Sequence, residues 1–272
     1  MEDHVQPRQR IPLYLFGALV MFGLIVPSLI VVPMSFSAAD YLQFPPREWS
    51  LRWYEAYFGS VGWRDATIIS LSAAFLTSIL ATILGTLAAY GLRLLGRGSS
   101  SPFLLAALTM PLTVPVILIA IGIFYIYARI GLVNTMTGLV LAHTMLAIPF
   151  VVVVVFTRLQ TFDLNQVRVA ESLGSSPARS FVLIVLPQLR FAIISGALLA
   201  FLTSFDEVII ALFISGGARS TLTRVMFTNL RDQVDPTIAA VASLLNIISV
   251  LLVVVFQAIE ARDKKAASRA AS

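Results

Sequence analysis

Residues 163–187 read "DLNQVRVAESLGSSPARSFVLIVLP", and the way this stretch folds decides how the rest of the chain is understood. Asp163 followed three residues later by Gln166 has the form of a capping box, so a helix is expected to begin at Leu164. Leu164, Val167, Ala170 and Leu173 then fall three apart along one side of that helix, and Gly174 supplies its stop. Ser176-Pro177 is a start signal for a second short helix through "ARSFVLIV", which Pro187 is expected to end. Two capped helices meeting at a glycine make a built element, whereas a simple connection needs no caps. An amphipathic hairpin lying on lipid is the plainer reading of the same pattern.

The flanks of this element are apolar. Hydrophobic residues make up 58% of the 272 positions and charged residues 12%, against roughly 45–50% and about 25% in soluble domains. The fold class is therefore an all-α membrane protein, a single block over 11–260 with short tails at 1–10 and 261–272. Uncharged windows place six transmembrane helices at about 11–36, 66–92, 102–128, 134–157, 187–205 and 236–259, most of them long enough for the roughly 20 residues that cross a bilayer. The polar element 163–186 falls between the fourth and fifth.

Lys and Arg accumulate on the cytoplasmic side of membrane proteins. With both termini inside, twelve of the nineteen basic residues lie inside, and the net charge of +5 divides into +6 inside and −1 outside. The pI of 9.9 then reflects membrane topology, and no nucleic-acid partner is called for. The first apolar run is too long for the 7–15-residue core of a signal peptide, so it is read as a retained span. With no cysteine, disulfides and thiolate metal sites are excluded.

Other features concern lining and anchoring. "YLQFPPREWSLRWYEAYFGSVGWRD" gathers all three tryptophans, and Trp49, Trp53, Tyr54 and Tyr57 have helical spacing, which suits a short helix at the outer interface. An aromatic cage for a cation is the sharper reading. Pro111 and Pro115 kink the third span. Asp206 and Glu207 are the only charges between Phe191 and Ala218 and fall at the outer end of the fifth span. Adjacent helical residues point about 100° apart, so both cannot face one pore. The apolar run Val208 to Phe213 suggests that the chain re-enters or packs beside the pathway. His143, the one histidine inside a span, reads as a satisfied core residue.

The second half of the quoted stretch carries a resemblance. Gly174, Ile184, Leu186 and Pro187 stand at the spacing of the E-A-A, three residues, G, nine residues, I-x-L-P signature of the membrane subunits of binding-protein-dependent ATP-binding-cassette importers. Its first half departs, with Arg168 in the place of the glutamate and Val169 before Ala170, although Glu171 keeps a carboxylate one turn on. "WSLRWYEAYF", "IPFVVVVVFTRLQTFD" and "SFDEVIIALFISGG" resemble the spermidine/putrescine type of permease.

What the resemblance implies is a type I importer (MetI-like) permease fold in the bacterial inner membrane. The expected partners are two cytoplasmic ATPase subunits, a second and different membrane subunit, an extracytoplasmic substrate-binding protein and the lipid bilayer. It makes Leu164, Val167, Arg168, Ala170, Glu171, Leu173, Gly174 and Ser175 the coupling surface for the ATPase. Phe201, Phe205, Asp206 and Glu207 are the expected path for a polyamine, whose ammonium groups suit a carboxylate and whose methylenes suit a ring. The chain lacks a G-x-x-x-x-G-K-[ST] phosphate loop, so it is expected to be no enzyme and to hold no cofactor, with ATP used by the partner. An importer permease for an opine, iron or a phosphonate, and an ion-coupled secondary transporter, are the alternatives.

Overall fold

The computed structural model describes residues 7–96, 100–232 and 235–270. In chain order its first helices are α1 (Pro7–Met34), α2 (Arg52–Gly59), α3 (Val61–Leu95), α4 (Ser100–Thr109), α5 (Val116–Ile130) and α6 (Met136–Gln160). They are followed by α7 (Asn165–Ser172), α8 (Pro177–Ser180), α9 (Leu186–Phe205), α10 (Ile209–Ile214), α11 (Leu222–Asp232) and α12 (Thr237–Ala270). Among the described residues no strand forms, and the one β-type pairing is an isolated bridge between Ser37 and Trp49. Among the described residues, five helices are long and apolar enough to cross a membrane, or six when the bent pair α4–α5 counts as one span.

Several boundaries differ from the sequence reading, each for a local reason. The second span runs the length of α3, past Arg64, Asp65 and Arg93, because charged residues stop a membrane window but not a helix. The third span breaks where only a kink was expected: α4 and α5 meet at 91°. Pro111 and Pro115 each lack an amide to donate, a short 3-10 turn fills Met110–Leu112, and the Thr113 hydroxyl satisfies the Met110 carbonyl at 2.9 Å. Pro187 does not end the second short helix. The chain stays helical from Pro177 to Phe205, with one wide turn at Phe181–Val185 in which the Leu186 amide reaches back to the Phe181 carbonyl. That wide turn lies directly before Pro187, which enters α9 near its first position, where its missing donor is tolerated. At the far end, α12 continues through residues read as a tail.

The sequence reading treats 11–260 as one block, whereas the contacts group into two compact units. The first comprises residues 1–61 and 228–272. Within it α12 packs on α1 and on α2, and the Ser35 hydroxyl pairs with the Tyr54 hydroxyl at 2.7 Å. Trp49 stands outside the expected aromatic helix, which begins only at Arg52, and its ring lies near that of Phe36. Arg52 stacks over the Trp53 ring and pairs with Asp40, so a protein cation already occupies that face.

The second unit, residues 62–227, holds the deep core. Val151, Val155 and Leu159 of α6 and Leu189 of α9 are almost fully buried, as is Val185 just before α9. Between apolar helices, small residues are what permit close approach. A β-carbon on Gly85 of α3 would sit 2.7 Å from the Val151 β-carbon, while one on Gly91 meets nothing within 4 Å. Gly85→Ala is therefore expected to cost about 1–3 kcal/mol, read as a lower melting temperature in detergent. Gly91→Ala, which adds helix propensity without a clash, should leave the melting temperature unchanged or raise it.

Candidate functional site

One end of the second unit carries the 163–187 element. Arg93 of α3 grips the end of α6, donating from Nε to the Leu159 carbonyl at 2.8 Å and from a terminal nitrogen to the Phe162 carbonyl at 3.3 Å. Such a cation at a helix C-terminus satisfies orphan carbonyls and suits the helix dipole. Asp163 caps the next turn by accepting the Asn165 amide at 2.9 Å. The expected capping box does not form and the helix begins one residue later, at Asn165: the Gln166 amide goes to the Asp163 main-chain carbonyl at 3.4 Å, and the Gln166 side-chain carbonyl accepts from the Gln188 side-chain amide at 2.7 Å and ties α7 to α9.

Gly174 adopts φ +90°. Its amide bonds to the Glu171 carbonyl at 3.0 Å, and the Ser175 amide reaches back to the Ala170 carbonyl at 3.0 Å. This pair of bonds is a Schellman closure, and the left-handed residue it requires is the reason for glycine. The Ser180 hydroxyl donates to the Ser175 hydroxyl at 3.0 Å, and Ser176 caps α8.

The expected apolar stripe divides. Val167 is buried and Leu164 half-buried, both packed with Leu189, Val185 and Phe162 of the unit's own core. Leu173, by contrast, is 84% exposed. Val169, four residues earlier and so on the same face, is also exposed, as are Arg168 and Glu171. The projecting surface is thus Val169 and Leu173 flanked by one cation and one carboxylate. Val169 was missed by the sequence reading, though its i, i+4 spacing to Leu173 was there to be seen.

The two acids also separate. α9 ends at Phe205, and the chain turns through Asp206–Val208 into the short helix α10, whose Ile210 and Ile214 are buried against α5 and α6. Glu207 accepts the Ile210 amide at 3.0 Å and so caps α10, while its own backbone carbonyl accepts the Thr223 hydroxyl at 2.9 Å. Arg224 closes the other end, donating to the Ala211 and Leu212 carbonyls at 2.9 and 3.0 Å. Burial pushes the Glu207 carboxyl up, and the α10 amides partly oppose this.

Asp206 has no side-chain partner among the described residues and is open to solvent, although neighbouring protein atoms displace enough water to raise its carboxyl. Phe201 and Phe205 stack with centroids 5.5 Å apart, Phe205 buried and Phe201 half-open. His143 is only half satisfied. Its Nδ1 pairs with the Ser204 hydroxyl at 2.8 Å, and its buried Nε2 has no hydrogen-bond partner among the described residues.

Several apolar spans, one broken at right angles, a capped helix-glycine-helix element at one end of the second unit and a solvent-open carboxylate just before the short helix α10 together mark a multi-pass membrane protein. The chain belongs to the family of binding-protein-dependent transport system inner membrane components, whose pattern matches residues 81–265.

It is 32% identical over 252 residues to the spermidine/putrescine transport system permease protein PotC of Haemophilus influenzae, covering 91% of this chain and 96% of that one. It is 32% identical over 242 residues to the putrescine transport system permease protein PotI of Escherichia coli K12, covering 87% and 85%. Among solved structures, its fold is similar to that of a bacterial ABC transporter involved in the import of the acidic polysaccharide alginate, with a TM-score of 0.68, 12% identity and coverage of 96% of this chain and 99% of that one. The MetNI methionine ABC transporter gives 0.59 at 14% identity, covering 74% and 94%. At these identities the two structures speak to fold alone.

Proposed function

We propose that this chain is the translocation subunit of an ATP-driven importer for polyamines such as putrescine and spermidine. The observation that carries the reading is the similarity to PotC and PotI over most of all three chains. The solvent-open Asp206, without a side-chain partner among the described residues, supports it, because such a carboxylate can pair with a passing ammonium group. Asp206 also stands about 200° around the helix from Ser204, which faces α6, so it points away from that packing interface. A charge there costs about 2.5–3.5 kcal/mol at the centre of a bilayer and less near its surface, a penalty removed when the residue faces a watery path shared with a second membrane subunit.

The chain lies in the bacterial inner membrane with both termini inside, and the 163–187 element meets a separate cytoplasmic ATPase, two copies of which serve the complex. Val169 and Leu173 seat in the ATPase, with Arg168 and Glu171 beside them. Leu164 and Val167 hold the element to the bundle, and Ala170, Gly174 and Ser175 close its turn. A push on α7 reaches the pathway through the Gln166–Gln188 bond and the unbroken helix from Pro177 to Phe205. A different homologous permease completes the path, and an extracytoplasmic binding protein delivers cargo.

The test is uptake of labelled putrescine and spermidine into proteoliposomes holding the ATPase, both permeases and the binding protein. ATP-dependent accumulation, competed by unlabelled polyamine and lost when the ATPase is omitted, is expected. Accumulation that survives ATPase omission would overturn the reading, and so would ATP-driven uptake of some other solute without competition by polyamines.

A further inference from the structure

The packing of α6 on α9 is apolar and close, and a β-carbon on Gly196 would come within 3.2 Å of Val151. Yet near the end of α9 this interface holds a polar pair, His143 and Ser204, 1% and 4% exposed and joined at 2.8 Å. Whichever ring nitrogen of His143 carries the proton, Nε2 is left buried without a partner among the described residues. An unsatisfied buried group costs about 1–3 kcal/mol, and interhelical polar bonds in membranes return only about 0.6–2 kcal/mol. An alanine facing a leucine would pack here at no such cost, so net stability does not account for the pair.

Its geometric effect is specific. A helix turns 100° per residue, so a hydroxyl fixed toward α6 at position 204 sets Phe205 about 100° and Asp206 about 200° around the axis. The structure agrees at both positions: Phe205 is buried and Asp206 faces outward. Apolar contacts alone tolerate rotation of a terminal helical turn, because one methyl replaces another at little cost. A directional bond does not, since rotating Ser204 away breaks it and leaves a second buried polar atom unpaired.

We propose that His143 is a positioning residue for Asp206: through Ser204 it sets the rotation of the last turn of α9 and so aims this carboxylate, which has no side-chain partner among the described residues, at passing cationic cargo. The cargo half of this statement rests on the polyamine reading, and the rotational half stands on the geometry alone.

Because the chain contains no cysteine, Asp206→Cys gives a single label in this subunit. In the assembled importer, reaction of that cysteine with a charged methanethiosulfonate reagent is expected to slow at least about fivefold when Ser204→Ala or His143→Phe is added. His143→Asn, whose side-chain amide occupies the place of Nδ1, should restore the rate to within about twofold. An unchanged labelling rate in the Ser204→Ala background overturns the rotational lock, and Ser204→Ala removes too little to unfold the chain.

Uptake separates the cargo half. His143→Phe should lower polyamine uptake about five- to tenfold with Asp206 present and by less than about twofold in an Asp206→Asn background. Equal losses in both backgrounds would show that His143 acts independently of Asp206 and overturn the proposal. Normal uptake by Asp206→Asn alone would remove the cargo site and with it this use of the lock, whatever the labelling shows.

Discussion

Leu173→Glu is expected to abolish ATP-driven uptake while leaving the protein folded in the membrane. Leu173 is 84% exposed, so its replacement removes no internal packing. In the proposed complex it is an apolar anchor buried in the ATPase, and truncating such an anchor costs about 2–4 kcal/mol of association, equivalent to a loss of roughly thirty- to a thousandfold. A carboxylate placed there beside Glu171 adds the cost of burying a second negative charge. Gly174→Pro should have the same outcome by another route. Proline fixes φ near −65°, whereas Gly174 sits at +90°, and the variant also lacks the amide that bonds to the Glu171 carbonyl. The turn between α7 and α8 then cannot close.

The measurements are uptake into proteoliposomes and co-purification of the ATPase, with Val167→Glu as the contrast. Val167 is buried in the unit's own core, so that variant should fail to accumulate at all. Normal uptake by both Leu173→Glu and Gly174→Pro would remove the coupling role from the 163–187 element.

The contrast between Leu173 and Val167 also shows where reading the chain stops short. The stop at Gly174 and the start at Ser176-Pro177 are legible because each depends on residues within one turn, whereas the Asp163 side chain turns to the Asn165 amide and makes no capping box. The period of three through Leu164, Val167, Ala170 and Leu173 is just as plain, but periodicity says that a face is apolar and not what covers it. Here the start of the stripe meets the chain's own core and its end projects. Pro187 misleads because a helix-stop signal is local, while here a wide turn precedes it and Val185 and Leu189 on either side are buried in the core. The roles of Glu207 and His143 were out of reach for a simpler reason. Glu207 caps the short helix α10, which is buried against α5 and α6 far from it in sequence, and the partner of His143 lies 61 residues away.

Asp206→Asn and Glu207→Gln, neighbours in sequence and alike in chemistry, are expected to fail in different ways. Asp206 has no protein partner among the described residues, so losing its charge should leave assembly and melting temperature unchanged. A charged hydrogen bond to a cargo ammonium contributes about 1.5–3 kcal/mol, so transport at limiting polyamine should fall about ten- to a hundredfold. Saturating cargo should recover part of this loss. Glu207→Gln keeps an oxygen able to accept the Ile210 amide, so α10 remains capped and uptake should stay within about threefold of the parent. Glu207→Ala, which leaves that amide unpaired, should lower the melting temperature, as loss of a helix cap costs about 0.5–2 kcal/mol. A charge-neutral cargo analogue distinguishes the two acids further: Asp206→Asn should discriminate less against it than the parent does, and Glu207→Gln should not change the ratio. If Glu207→Gln were the variant that lost uptake while Asp206→Asn kept it, the capping geometry would be a poor guide to which carboxylate meets the cargo, and the pathway would have to run along the α10 side of the turn.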